Sequence, residues 1–472
     1  MQIDDEYFDS KEFRDILASY EESAESGIPM FMDVDDMVDI ADYYNYKGKR
    51  DMARDIIEQA LELYPEATSP LVFKAGEALR DGDIAKAKEL AEKVTDRDDP
   101  DFRYLEAEIL IAENKLDEAE RYLLDYYSTI SAEEHDDFVL DVANLYVDYG
   151  VNDKAYRWIV KAENPGNPDY KELMARTLFG MGKFDDSARI FNELIDENPF
   201  SKNYWNALAS AQFMNEKFDD SITSSEYAIA IDPKDPDGLL AKANALYRLG
   251  KYEEALDYYA RYSDIVPDDE FGLLSQGTCL TYLSQHDKAI EKLRRAEEVA
   301  PPDSSFLLPI YQELAFAYSA KKMVRESMAY LDKTAGIECD RADVDVLRGH
   351  ILLENGFIEE AEQVFRQTIA EAQNAPDIIL RVTVSLYDNK FLDAAYRMFK
   401  KLFALTEGNY DKGYSYMALC CWDLKKTDEF IHYLTIAVKR NPQEAKVVLD
   451  GLFPKEMEVK DYLNYMINKL KP

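Results

Sequence analysis

Apolar residues along this chain return in two short stripes of helical period, separated by a break, and then the pattern begins again. In one stretch, Leu239, Ala243, Leu246 and Tyr247 form the first stripe, and Ala255, Leu256, Tyr259 and Tyr262 the second. Spacings of three and four put each stripe on one side of an α-helix. Gly250 lies between the two and suits a helix end that needs a left-handed backbone. Gly48, Gly82, Gly150 and Gly182 occupy the same place in other copies. Pro199, Pro233, Pro267 and Pro301 follow second stripes, and a proline cannot continue a helix because it lacks the amide. Asp or Asn ahead of the next first stripe supplies an N-cap.

The period is 34 residues, read from those four prolines, and the register extends to about twelve copies. Each copy carries one small residue in its first stripe: Ala41, Ala75, Ala107, Ala143, Ala175, Ala209, Ala243, Gly277, Ala315, Gly349, Thr383 and Ala418. Twelve residues later a second small residue follows, from Ala53 and Ala87 through Ser187, Ser221 and Ser327 to Ala361 and Ala395; only the last copy departs, with Phe430. A larger side chain at either place would wedge the paired helices apart. A single helical hairpin cannot bury its apolar face alone, so hairpins stack. The spacing therefore predicts an all-α solenoid of antiparallel helix pairs.

These units resemble the tetratricopeptide repeat. The sixth copy shows Trp205, Leu208, Ala209, Ala228 and Pro233, and the first shows Ile40, Ala41, Tyr44, Gly48, Ala53, Ala60 and Pro65. The resemblance implies a right-handed superhelix and divides the chain into a capping helix in 1–33, the repeats in 34–444 and capping helices in 445–472. Within the first segment, residues 5–25 read as one helix with an Asp9/Glu12 capping box, ended by Ser26-Gly27-Ile28-Pro29; a latch lying in the groove is the other reading. At the far end, Leu463, Ile467 and Leu470 form the apolar stripe of a final helix.

In proteins of this resemblance the first helix of each unit lines a concave groove that holds a protein or peptide. The places that should point there give Asp42, Arg80, Glu108, Asn144 and Asp148 early in the chain. The middle gives Arg176, Phe179, Asn206, Phe213, Asn244, Tyr247 and Arg248, then Leu274 and Tyr282, and the later repeats give His350, Glu354, Tyr387 and Asp423. Asn and Arg can hold a peptide backbone or carboxylate, and aromatics supply contact area. Packing between helices is the competing role for each aromatic. A carboxylate clamp of the chaperone-binding kind is not matched: Lys202 and Asn206 have its spacing, but no basic pair follows.

Composition narrows the partners. In 472 residues, 55 Lys and Arg face 94 Asp and Glu, a net charge of −39. Phosphate backbones and anionic lipid surfaces need clustered cations, so neither nucleic acid nor membrane is expected as a partner. The four cysteines show no metal or disulfide spacing and the four histidines no ligand motif, so no metal and no cofactor are expected. Acidic runs at Asp33–Asp36, Asp96–Asp101 and Asp232–Asp237 lack the glycine and distal glutamate of a calcium loop; they read as helix caps. The N-terminal residues hold no apolar leader, and the expected location is cytoplasmic. No nucleotide or hydrolase motif occurs.

The expectation is a non-enzymatic scaffold or adaptor. Two alternatives stand beside it: a self-assembling structural protein using its ends or an outer face with Tyr258, Tyr259 and Tyr262, and an enzyme with an unrecognised site, for which a pocket holding His350 would speak. The small-residue pair makes a direct prediction. Ala243→Leu overpacks a helix pair and should lower stability by about 1–3 kcal/mol in chemical denaturation, whereas an unchanged midpoint would remove close approach as the basis of the repeat.

Overall fold

The computed structural model describes residues 7, 8, 10–26, 32–164, 166–454 and 457–470, and among them every regular element is helical. The chain divides into two compact units at Pro233/Lys234. In the first, the helix pairs are Val34–Tyr46 with Arg50–Leu63, Thr68–Arg80 with Ile84–Lys93, Pro100–Ala112 with Leu116–Tyr127, His135–Asp148 with Asn152–Ile159, Pro168–Gly180 with Phe184–Glu197, and Lys202–Met214 with Phe218–Ile231. In the second they are Pro236–Arg248 with Tyr252–Ile265, Glu270–Tyr282 with His286–Val299, Leu307–Ala320 with Val324–Lys333, Arg341–Glu354 with Ile358–Glu371, Pro376–Asp388 with Leu392–Leu405, and Tyr414–Asp423 with Thr427–Arg440. Second helices end at Glu197, Ile231, Ile265 and Val299, each two residues before its proline.

The two small residues of each pair are the tightest places in the core. Ala41, Ala75, Ala175, Ala243, Ala53, Ala255 and Ala289 have no exposed surface. Where the second of them is serine, its hydroxyl donates to the carbonyl of the first: Ser187 to Ala175 at 2.8 Å, Ser221 to Ala209 at 2.9 Å and Ser327 to Ala315 at 2.8 Å. Where the first is glycine, the partner helix has moved into the space. A Cβ on Gly277 would collide with Leu293, and one on Gly349 with Phe365. Phe430, the exception, is fully buried against Trp422 with ring centroids 5.0 Å apart.

Every pair turns through one left-handed residue. Glycine serves at positions 48, 82, 150, 182, 250 and 356, and Asn114, Glu216, Ser284, Lys322, Lys390 and Lys425 serve the others. The hydrogen bonds are those of a Schellman end: around Glu216, Lys217 N–H donates to Gln212 C=O at 2.9 Å and Glu216 N–H to Phe213 C=O at 3.0 Å. The acidic runs cap helices. Asp33 accepts from Asp35 N–H, Asp99 from Asp101 and Phe102 N–H, and Asp235 from Gly238 N–H.

Ahead of the first pair, the helix Lys11–Ser26 places Phe13 in one core with Met37, Ile40, Ala41 and Ile56. Phe13 N–H donates to Ser10 Oγ at 3.1 Å; Asp9 and Gly27–Pro29 lie outside the described residues. At the C-terminus, the expected stripe is displaced by one residue. Tyr462 and Met466 are the buried residues of helix Tyr462–Lys469, while Ile467 and Leu470 are exposed. Tyr462 stacks on Phe453 at 3.7 Å between centroids, and that ring contact sets the helix rotation.

The left-handed turns generate a prediction with both signs. Glu216→Gly should raise stability by about 0.5–1 kcal/mol, because relief of left-handed strain exceeds the added chain entropy of glycine. Gly250→Ala should lower it by about 1 kcal/mol, although nothing lies within 4 Å of the added Cβ. Equilibrium urea unfolding of both variants reads the pair of effects.

Candidate protein-binding groove

In the first unit, the first helices of three successive repeats enclose a cleft of about 360 Å³. Its lining follows one register set by the small residue of each helix: six, three and two residues before it, and one after. Helix Val34–Tyr46 contributes Asp35, Val38, Asp39 and Asp42; helix Thr68–Arg80 contributes Ser69, Val72, Phe73 and Gly76, with Arg80 one turn on; helix Pro100–Ala112 contributes Asp101, Tyr104, Leu105 and Glu108. These residues recur at helical spacing, so one face of each helix is presented. Phe73 and Leu105 are buried beneath the cleft. Above them stand five carboxylates and, among the lining residues, a single cation, Arg80.

Hydroxyl groups satisfy several of these carboxylates. Tyr7 donates to Asp39 at 2.5 Å, Ser69 to Asp35 at 2.7 Å and Tyr149 to Glu108 at 3.0 Å, while Tyr104 donates to Asp141 at 3.0 Å on the next repeat. A hydroxyl supplies one proton and no charge, so burial still acts on each anion. Burial pushes Asp42 up to about 6, with Asp39 and Asp101 raising it and Arg80 opposing. Asp39, Asp101, Glu108, Asp141 and Asp148 are raised too, with burial the largest cause in each.

The second unit has its own carboxylate of this kind. Glu313, two residues before Ala315 on helix Leu307–Ala320, is pushed up to about 7 by burial. Nearby, Tyr252 and Tyr282 stack with centroids 4.4 Å apart, and Tyr247 meets Tyr282 edge-on at 6.1 Å. Polar contacts then link successive first helices. Ser319 donates to Glu354 at 2.6 Å, His350 Nδ1 lies 3.0 Å from Ser385 Oγ, and Tyr387 donates to Asp423 at 2.6 Å.

The sequence-predicted residues separate accordingly. Asp42, Arg80 and Glu108 line the cleft together. Asn144, Arg176, Asn244 and His350 share the register place just after the small residue, but their side chains are differently engaged. Asn144 is half-buried; Arg176 pairs with Asp148 at 3.6 Å. Asn244 accepts from Tyr259 at 2.6 Å, inside its own hairpin. His350 is held by Ser385 and by Asn389 at 3.3 Å. Ser385 is 4% exposed, too buried to attack a substrate, so the contact joins two repeats. Asn206 is half-buried and Arg248 exposed.

The aromatic residues of the list also make contacts within their own repeats. Phe179, Phe213 and Tyr247 pack edge-to-face on Phe184, Phe218 and Tyr252, the first residues of their own second helices, at 5.4, 5.4 and 5.5 Å. They close the hairpin turn and are half-buried, while Tyr282 is 59% exposed. Leu274 and Tyr387 are core residues. Lys202 is paired with Asp232 at 2.8 Å. Of the outer tyrosines, Tyr259 and Tyr262 are buried and Tyr258 is half-buried under Lys242. Asp39, Tyr104 and Glu313 were not singled out from sequence, and Asp101 was read there as part of a helix-capping run. Asp39 and Glu313 share the place two before the small residue, a regularity that reading the stripe from that residue would have exposed.

Buried ionised carboxylates oppose folding. A carboxyl whose folded pKa lies above its unfolded value costs nothing below the unfolded value, and its cost grows as pH rises toward the folded one. Wild type should therefore lose stability between pH 4.5 and 7 through Glu313. Glu313→Gln should flatten that slope and raise stability at pH 8 by about 2 kcal/mol, leaving the smaller slope of the other buried carboxyls. Thermal melts at pH 5 and pH 8 test this; a variant less stable than wild type at pH 8 contradicts it.

Models of the tetratricopeptide repeat match residues 37–66, 74–134 and 172–236, and 212–276. No curated protein matches the chain. Among solved structures, a crystal structure of MamA is 19% identical, with 34% of this chain and 92% of that one covered and a TM-score of 0.33. MamA from Desulfovibrio magneticus RS-1 is 15% identical, with 36% and 94% covered and a TM-score of 0.34. The APC/C hetero-tetramer Cut9–Hcn1 is 16% identical, with 94% of each chain covered and a TM-score of 0.34. No described helix is long and apolar enough to cross a membrane. With family matches within residues 37–276 and the same helix pairs and paired small residues continuing to Arg440, this chain is a tetratricopeptide-repeat protein.

Proposed function

We propose that the chain is a non-enzymatic scaffold that holds a protein segment against its first helices, and that the cleft of the first unit takes a segment bearing Lys or Arg. The cleft itself carries this reading. It pairs an apolar floor with carboxylates that burial destabilises, three of them partnered by hydroxyls, and with Arg80 as the one cation among the lining residues. Such groups cost stability in the free protein and are repaid when a cation enters. The net charge of −39 adds long-range attraction for a basic partner. The four cysteines are free, which suits a reducing, cytoplasmic setting.

The test uses a fluorescein-labelled peptide alternating Leu and Lys, and its Glu counterpart, titrated by fluorescence polarisation. The basic peptide should bind and the acidic one should not. Asp42→Asn with Glu108→Gln should weaken binding about tenfold or more, the loss of charge-assisted contacts. Lowering the pH through 6 should weaken it as well, because Asp42 takes up a proton. Equal binding of both peptides, or of wild type and variant, would overturn the reading.

A further inference from the structure

Between the second helices Ile358–Glu371 and Leu392–Leu405 of the second unit runs a crevice of about 480 Å³, lined mostly by apolar side chains. Phe365, Val382, Leu386 and Met398 form its depth. Ile358, 49% exposed, stands at its edge beside Phe357, 42% exposed. The lining recurs at helical spacing from Ile358 to Ile369 on one wall and from Ala394 to Lys401 on the other, a length of about three turns or roughly 16 Å.

The rim is basic on a protein that is otherwise strongly acidic. Arg366 stands on one wall, and Arg397 and Lys401, one turn apart, on the other. Arg366 is paired with Glu362 at 2.6 Å on its own helix. Arg397 and Lys401 are exposed and have no ion pair or hydrogen bond among the described residues. Exposed lysines and arginines are common; two unpaired ones, a turn apart, along an apolar crevice and amid 94 carboxylates are not accounted for by packing.

We infer that this crevice docks an acidic amphipathic segment of a partner protein, its apolar side chains seated against Phe365, Leu386 and Met398 and its carboxylates meeting Arg397 and Lys401. The volume lies in the range of formed ligand sites, and the helical walls match the groove mode of amphipathic-helix recognition. Arg397 and Lys401, a turn apart along one wall, fit two carboxylates spaced along a segment. A single fatty-acid head group would need them gathered at one end.

A display library of amphipathic 16-residue helices, carrying acidic, basic or neutral polar faces, is selected on the full chain and, in parallel, on Arg397→Glu/Lys401→Glu. Both substitutions are on the surface, and circular dichroism melts should coincide with wild type. Acidic sequences should be recovered by wild type and lose about tenfold or more in affinity on the variant. Versions with Lys in place of Glu should bind the variant and not wild type, a rescue that a merely structural role cannot give. Ala394→Trp, which fills the crevice without changing charge, should block both. Asp42→Asn with Glu108→Gln should leave this binding unchanged, so loss of the basic-segment reading above does not touch it. Recovery of only basic or neutral sequences, of sequences indifferent to the charge swap, or of none while oleate binds with dependence on Arg397 and Lys401, overturns the inference.

Discussion

The close approach of the two helices in each pair is the constraint on which the rest depends. Two small residues twelve apart let the backbones come together, and the apolar stripes on either side then meet without a gap. Where alanine is replaced by serine, the hydroxyl finds the facing carbonyl, so the small volume is kept and no polar atom is left unsatisfied. Where the first residue is glycine, Leu293 or Phe365 occupies the space instead. Either arrangement fixes the rotation of both helices and hence which side chains face outward.

That rotation builds the cleft. Once the small residue of a first helix points at its partner, the residues six, three and two before it and one after it form a separate face, about a third of a turn round the helix. In the first three repeats this face carries Asp35, Asp39, Asp42, Asp101 and Glu108 over Val72, Phe73 and Leu105. Tyrosine and serine hydroxyls bridge these acids from one repeat to the next. On Asp35, Asp39 and Glu108 they supply a proton and no charge; burial raises Asp39 and Glu108 all the same, as it raises Asp42 and, in the second unit, Glu313. Stability is thus conceded along the face for which a basic ligand is proposed.

The aromatic residues show the limit of counting places along a stripe. Phe213 and Tyr247 stand at positions that point toward a groove in the repeat pattern, yet their rings turn to cover the hairpin, because Phe218 and Tyr252 offer an apolar edge one turn away. Asn244 is drawn inward by Tyr259 in the same way. Side-chain direction here is decided by the neighbour, and the neighbour belongs to another helix.

The sequence by itself determined the repeat, its helix ends and its buried pairs. Proline, the capping Asp and Asn residues and small-residue volume act through local backbone geometry and through contacts at fixed separation, and both are legible in one chain. It also disclosed the left-handed turns where glycine holds them, but not where Glu216, Lys322 or Lys390 does, since those residues accept the strain only because the flanking helices are already fixed. Tertiary structure alone decided which acids are buried together, which aromatics face solvent, and that Arg397 and Lys401 border an apolar crevice. Those properties depend on desolvation and on partners from different repeats, and neither is a function of the residue and its sequence neighbours.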